Sequence, residues 1–472
     1  MGSRKVTDWQ GKNVTVAGLG VSGIPAARVL HGLGANVTVV NDGDDARARE
    51  QAAELLELGV AVRLGDGATL PESTELIVTA PGWKPDKPLF TAAAAAGVPV
   101  WGDVELAWRL RGPDAAPWLC VTGTNGKTTT TQMLASILTA AGLRTAAVGN
   151  IGVSLLDAVL GEERHDVLAV ELSSYQLHWA PSLRAHSATV LNLAPDHLDW
   201  HGSMEAYAKD KGRVYEGNRV ACVYNVADKA TEDLVREADV EEGCRAVGFT
   251  LGTPGPSQLG VVDGILVDRA FVENRQKNAQ ELAEVSDVDP PAPHNIANAL
   301  AAAALARAFG VPARAVRDGL RAFTPDAHRI AHVADLDGVA YVDDSKATNT
   351  HAAEASLAAY ESIVWIAGGL AKGATFDELV AKSAKRLRGV VLIGADRALI
   401  REALTRHAPQ VPVVELDRTD TGAMPAAVQE ARGLAVEGDT VLLAPACASM
   451  DMFVNYNQRG DAFAEAVREL GA

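Results

Sequence analysis

At 472 residues the chain is too long for one core, and at about 100–200 residues per domain about two to four domains, with three favoured, are expected. Hydrophobic residues make up 48% and charged residues 22%, which excludes a disordered chain, and a net charge of −17 excludes a broad nucleic-acid-binding or anionic-membrane surface. Cys120, Cys222, Cys244 and Cys447 are scattered without a C-x-x-C, as in reduced cytoplasmic proteins. The opening "MGSRKVTDWQ" has no apolar signal core, and the alanine run at 299–304 is closed by Asn298 and Arg307. Neither export nor a membrane span is expected.

The first unit reads as strand, loop, helix and second strand, "NVTVAGLGVSGIPAARVLHGLG" then "NVTVVND". Gly18, Gly20 and Gly23 match G-x-G-x-x-G, and Asp42 follows at about the spacing of a ribose carboxylate in a dinucleotide fold. Glycines that merely let a helix pack closely on a strand give the same pattern, so the ligand stays open. "TELIVTAPG", an alanine-rich helix ending at Gly97 and "VPVWGDVELAWRL" follow, and the proline-containing "RGPDAAPW" sets a boundary near residue 112.

The second unit opens on "LCVTGTNGKTTTT", an apolar strand, a glycine loop and a helix. Gly123 and Gly126 allow a tight turn with inward amides, and the helix aims its positive dipole end at the same point. Lys127 adds a mobile charge for outer phosphates, and the Thr128 hydroxyl is suited to a Mg²⁺. The loop is a shortened form of G-x-x-x-x-G-K-[ST], with Val121 where the first glycine usually stands. Met133, Leu134, Ile137 and Leu138 share the buried face of the helix. Two further strands end in polar residues: "HDVLAVELSSYQL" in Glu171, Ser173, Ser174 and Gln176, and "ATVLNLAPDHLDWHG" in Asp196, His197, Asp199 and His201. Ligands sit at the C-terminal edge of such sheets, so Glu171 and His197 are expected to converge on Thr128 and its metal. A zinc-protease reading of His197 and His201 fails, because H-E-x-x-H needs glutamate where Leu198 stands.

Residues 250–293 carry turn signals and weak periodicity, and are expected to form a hairpin or excursion of the middle domain. The helix "HNIANALAAAALARAFG" follows. From Arg329 β and α signals alternate again as a second doubly wound domain. "DDSKATN", with Ser345, Lys346, Thr348 and Asn349, and "ACASMDMFVNYNQRG", with Ser449, lie just after strands, where loops or a site are equally in keeping with the pattern.

In this order "GLGVSG", "APG", "GTNGKTTT", "GNIG", "ELSSYQL", "DHLDWHG", "KGRVYEG", "HNIANALAA", "AHR", "DDSKATN", "GGLAKG" and "ACASMDMFVNYNQRG" resemble the Mur ligases over nearly the whole chain, and "DDSKATN" resembles the member that adds D-glutamate. The resemblance implies three α/β domains: a Rossmann-like UDP-sugar-binding domain over residues 1–112, a central mononucleotide-binding (P-loop) ATPase domain over 113–326, and a Rossmann-like amino-acid-binding domain over 327–472. It implies ATP-driven addition of D-glutamate to UDP-N-acetylmuramoyl-L-alanine through an acyl phosphate, by a cytoplasmic monomer. ATP would be held by Gly123, Thr124, Asn125, Gly126, Lys127, Thr128 and Thr129, with Asn295, Asn298, Arg329 and Asp344. Two Mg²⁺ ions would use Thr128, Glu171, His197 and Lys211, the lysine carbamylated. With Lys127, those last three form the expected catalytic set. The UDP-sugar would meet Gly20, Val21, Ser22, Asp42, Gly43, Pro81, Gly82 and Asn150, and D-glutamate Lys346, Thr348, Lys372, Ser449, Met450 and Tyr456. Trp200 stands where relatives usually carry arginine, Tyr175 replaces a phenylalanine, and Ala371 departs within "GGLAKG". A nicotinamide oxidoreductase would leave Lys127, Glu171 and "DDSKATN" idle. A noncatalytic sensor would need neither the metal-ligand set nor a third domain, and another ligase step would keep the family with a different amino acid.

Overall fold

The computed structural model describes residues 9–471; residues 1–8, which carry most of the stretch read above as lacking a signal core, lie outside them. Three sheets organise the chain, and the backbone gathers into two compact units: one of residues up to 288 with 296–323, the other of 289–295 with 324 onward.

In the first unit β1 (Asn13–Ala17), β2 (Asn36–Asn41), β3 (Ala61–Leu64), β4 (Leu76–Thr79) and β5 (Val100–Gly102) form a parallel sheet in the order β3-β2-β1-β4-β5. The order reverses between β1 and β4, so the turns after them, carrying Gly18–Ser22 and Pro81–Gly82, flank one crevice. Gly23 opens the helix Gly23–Gly32 there, and a Cβ on it would lie 1.9 Å from the Gly18 carbonyl oxygen. The third glycine of the fingerprint is a packing requirement.

The second sheet of this unit holds β6 (Trp118–Thr122), β7 (Ala147–Gly149), β8 (Leu168–Glu171), β9 (Ser187–Val190), β10 (Ala221–Asn225), β11 (Arg245–Phe249), β12 (Gln258–Val262), β13 (Ile265–Asp268) and β14 (Gln280–Glu284). Their order is β14-β13-β12-β11-β10-β9-β6-β8-β7, with β6 between β8 and β9. Strands β6 to β11 pair in parallel and read as continuous apolar runs because both faces are covered. The segment expected as an excursion is the antiparallel extension β12–β14, and its inner end is pinned where Arg307 Nε meets the fully buried Asp268 Oδ2 at 2.9 Å.

The second unit contains β15 (Ala331–Leu336), β16 (Val339–Asp343), β17 (Ile363–Gly368), β18 (Leu387–Ile393), β19 (Val413–Glu415) and β20 (Thr440–Leu443), ordered β15-β16-β20-β17-β18-β19. Only β15 runs antiparallel, on the edge. Two apolar clusters cover its faces, one around Trp365 and Leu392, the other around Ile366, Met424 and Phe463. No helix among the described residues is long and apolar enough to cross a membrane.

Candidate active site

The glycine loop lies between β6 and the helix Lys127–Ala140, at the point where the second sheet reverses its strand order. Gly123 (φ +149°) and Gly126 (φ +82°) hold backbone conformations that other residues resist. Thr129, Thr130 and Thr131 are buried, leaving Thr128 alone of the four threonines partly exposed at the helix start. The first N–H groups of a helix find no carbonyl inside it, so the start of this one is suited to an anion. Asn192, just beyond β9, fastens the loop: its carbonyl accepts from Thr124 N at 3.0 Å, its Oδ1 from Asn125 N at 2.9 Å, and its Nδ2 donates to Asn125 O at 3.1 Å. Thr124 Oγ1 accepts from Ala194 N at 3.0 Å and lies 3.0 Å from the Tyr207 hydroxyl. The sequence reading missed Asn192, whose only signal is its place on a parallel strand end.

Lys127 folds back over the loop, its Nζ donating to Gly123 O at 3.0 Å and Thr124 O at 2.9 Å. Lys211, on the helix Met204–Gly212, comes from the other side and donates to Gly123 O at 2.8 Å. Its side chain is 2% exposed, and burial, with the charge of Lys127 nearby, drives the amine well below the usual lysine range. Glu171 ends β8 almost fully buried. Asn150 Nδ2 donates to its Oε1 at 2.9 Å, while its Oε2 is buried with no hydrogen-bond partner. His197 is half exposed, in a left-handed conformation (φ +54°), and burial outweighs the neighbouring Asp196 carboxylate to favour the neutral imidazole. Glu171, Asp196 and Lys127 act electrostatically on Lys211, and Lys127 and Lys211 on His197, so Lys127, Glu171, His197 and Lys211 lie within electrostatic reach of one another.

An unbonded buried carboxylate oxygen beside a phosphate loop fits a Mg²⁺, which takes few protein ligands and completes its shell with phosphate oxygens and water. Among the described residues no group of three or more His, Cys, Asp or Glu side chains is placed to hold a metal ion by itself.

In the crevice of the first sheet Ser22 Oγ donates to Asp103 Oδ2 at 3.0 Å, and Gln176 Nε2 approaches the same oxygen at 3.4 Å. Asp103 was not singled out in the sequence; burial raises its pKa, and its Oδ1 has no partner. Asp42 is paired with Lys87 at 2.5 Å, and Gly43 O accepts from Asn41 Nδ2 at 3.0 Å. Trp200, one of the departures, packs on Tyr175 and donates its indole N–H to Gly82 O at 3.1 Å, tying the β4 turn to the segment that carries His197.

In the second unit the residues assigned to D-glutamate cluster at the C-terminal strand edge. Lys346 follows β16 with its Nζ 3.8 Å from the Tyr456 ring centroid. Leu370 and Ala448 exchange backbone hydrogen bonds at 2.9 Å, which brings the segments of Lys372 and Ser449 side by side. Ser449 is buried and Met450 exposed; the Thr348 amide donates to Lys346 O at 2.8 Å. Arg459, fully buried, joins the two motifs by donating to Ser345 Oγ, Ser345 O and Cys447 O at 2.8–3.1 Å. Asp344 is buried against Ser356, and burial pushes its carboxyl up to about 6, with Arg329 partly opposing. Asn298 stands close to Gly126, whereas Asn295 Nδ2 donates to Pro290 O at 3.3 Å.

A phosphate loop with a lysine, facing a buried carboxylate at a parallel-sheet reversal, defines a nucleotide-binding α/β protein of the mononucleotide type. Three family descriptions match in order: "Mur ligase MurD-like, N-terminal domain" over residues 12–102, "Mur ligase middle domain" over 121–306, and "Mur ligase, glutamate ligase domain" over 328–447. The chain belongs to the Mur ligase family. It is 90% identical over 467 residues to the UDP-N-acetylmuramoylalanine–D-glutamate ligase of Streptomyces avermitilis, covering 99% of this chain and 100% of that one. It is 60% identical to the ligase of the same name from Thermobifida fusca, covering 98% and 99%. Among solved structures it is similar to a pseudomurein peptide ligase type C from Methanothermus fervidus (TM-score 0.58, 17% identity, covering 98% and 100%). It is also similar to the MurF ligase of Thermotoga maritima in complex with ADP (TM-score 0.57, 15% identity, covering 98% and 96%).

Proposed function

We propose that the protein joins D-glutamate to UDP-N-acetylmuramoyl-L-alanine at the expense of ATP, giving ADP and phosphate. The observation that carries this reading is the 90% identity, end to end, with a relative named for that reaction. The convergence of Lys127, Glu171, His197 and Lys211 on the glycine loop supports it chemically. A carboxylate does not acylate an amine, because its leaving group is oxide. Transfer of the γ-phosphoryl group to the L-alanyl carboxylate gives an acyl phosphate and ADP, after which the D-glutamate amine adds and phosphate leaves with the amide formed.

The loop from Gly123 to Thr129 and Lys127 hold the ATP phosphates and offset charge as the two anions meet. Thr128 and the open oxygen of Glu171 would hold one Mg²⁺, and His197 with Lys211 a second; bound there, the ions would neutralise phosphate charge. The lowered basicity of Lys211 supports carbamylation, since only a neutral amine adds carbon dioxide and the carbamate supplies the oxygen ligands Mg²⁺ prefers. Gly20, Val21, Ser22, Asp42, Gly43, Pro81, Gly82 and Asn150 are assigned to the UDP-sugar, with residues 1–112 as its domain. Asn295, Asn298, Arg329 and Asp344 complete the ATP assignment, residues 113–326 forming the ATP domain. Lys346, Thr348, Lys372, Ser449, Met450 and Tyr456, in residues 327–472, are assigned to D-glutamate, with Lys346 and Lys372 facing its carboxylates. A nucleotide-driven step of this kind belongs in the cytoplasm.

Phosphate release from Mg²⁺-ATP and UDP-N-acetylmuramoyl-L-alanine, measured with D-glutamate, L-glutamate, L-alanine or no amino acid, tests the reading. Release that requires D-glutamate is expected. Release with another amino acid moves the protein to a different step, and none under any combination favours a sensor.

A further inference from the structure

Behind the helix that carries Lys211 lies a buried polar cluster that the reaction above does not use. Asp210 is 5% exposed, and its carboxylate faces three donors. His178 Nδ1 lies at 2.9 and 3.0 Å, His201 Nδ1 at 3.0 Å and Arg213 Nε at 3.1 Å. The carboxylate fixes hydrogen on Nδ1 of both imidazoles, which leaves His201 Nε2 to accept from Ser174 Oγ at 2.9 Å. His201 has no exposed side-chain surface, and its ring stacks on Tyr175 at 5.5 Å with 7° between planes.

Ser174, His201 and Asp210 imitate a hydrolase triad, yet Ser174 is 2% exposed, so no reacting carbonyl reaches its oxygen. What the cluster does is join three short segments, and each ends in a site residue. Ser174 lies three positions after Glu171 and His201 four after His197, its amide bonded to the His197 carbonyl at 3.1 Å. Asp210 immediately precedes Lys211. Neighbouring helical residues point about 100° apart, so clamping Asp210 sets the direction of Lys211. The helix is only nine residues long, and charge-assisted bonds in a buried setting help to fix it in place.

We propose that the Ser174–His201–Asp210 chain is a positioning relay that sets where Lys211 lies against Glu171 and the glycine loop, with His201 and Asp210 as its positioning residues. The relay rests on the assignment of Lys211 to the reaction. Two measurements separate the failure of that assignment from the failure of the relay.

The first is acetylation of Lys211 by acetic anhydride in buffer depleted of carbon dioxide, read by peptide mass spectrometry on the full chain. The second is the kinetics of phosphate release with all three substrates. His201→Ala is expected to raise the Lys211 acetylation rate at least about fivefold and to lower kcat about 10–100-fold, with KM for ATP changed less than about threefold. His201→Asn keeps a donor where Nδ1–H stands and is expected to reverse most of both changes; if His201→Ala fails to fold, comparison of His201→Asn with His201→Leu replaces it. A wild type that releases no phosphate, with acetylation still rising in the variant, would sink the ligase reading and leave the relay. Unchanged acetylation, a kcat within about twofold of wild type, or failure of His201→Asn to rescue either one would overturn the relay.

Discussion

Gly126→Ala offers the sharpest test of the loop, because two separate costs are written into its geometry. At φ +82° an L-residue sits in the left-handed region, which costs about 1–2 kcal/mol. The new Cβ would also stand 2.4 Å from Asn298 Oδ1 and 3.2 Å from its Cγ, so Asn298 must withdraw and give up contacts worth about 1 kcal/mol. Together they predict a loss of ~2–3 kcal/mol in urea denaturation. Activity should fall further, because the amides assigned to the phosphates sit on the displaced turn, and a shift on the order of 1 Å costs about 10²-fold. The double variant Gly126→Ala with Asn298→Ala removes the collision and keeps the backbone strain. Relative to Asn298→Ala alone, adding Gly126→Ala should then cost only ~1–2 kcal/mol, and that difference is the coupling between the two positions. A Gly126→Ala chain within about 0.5 kcal/mol of wild type and with full phosphate release would refute the argument, since neither strain nor collision would then be real.

Lys127→Ala should lower phosphate release by at least about 10²–10³-fold while leaving the urea midpoint almost unchanged, because the side chain is partly exposed and its Nζ donates to the loop carbonyls of Gly123 and Thr124. Lys211→Met should abolish release yet match or exceed the wild type in stability, since a buried amine is replaced by an apolar chain of similar size; an active Lys211→Met would remove the lysine from the reaction. Asp344 carries a pH signature of definite sign. Its folded pKa of about 6 exceeds the 3.8 of the free carboxyl, so the folded state binds the extra proton, and this contribution is full below about pH 4 and lost as pH rises to about 6. At 1.36 kcal/mol per pH unit the interval is worth ~3 kcal/mol, and Asp344→Asn should flatten that part of the urea-stability profile; a profile identical to wild type would contradict the assigned burial. Arg307→Ala leaves the buried Asp268 carboxylate, which accepts from the Ala270 and Phe271 amides, without its counter-charge, for an expected loss of ~3–5 kcal/mol that Asp268→Asn should partly return, measured by urea denaturation.

Much of this molecule is legible along the chain, because its instructions are local. A glycine pattern that only a tight strand-to-helix turn needs, a Lys-Thr pair at a helix start and polar residues at the ends of apolar runs locate the loop, Glu171, His197 and the strand edges. Apolar periodicity likewise marks the helix Lys127–Ala140, whose Met133, Leu134, Ile137 and Leu138 are all buried. The excursion at 250–293 was legible only as turns, because its strands are short and their pairing partners are set by the register of a hairpin. Other parts depend on groups far apart in sequence. Asn192 acquires its role by lying beside β6 across a parallel pair, and Asp103 by being buried against Ser22 and Gln176. Asp210 and His201 meet because two short helices fold onto one another, and Arg459 bridges two motifs more than a hundred residues apart. The sequence by itself determined which chemistry the chain carries, since that is a matter of residue types at fixed local spacing. Tertiary structure alone decided which polar groups are buried and which lysine is held below the usual lysine range, because desolvation is a property of the packed surroundings and not of the chain.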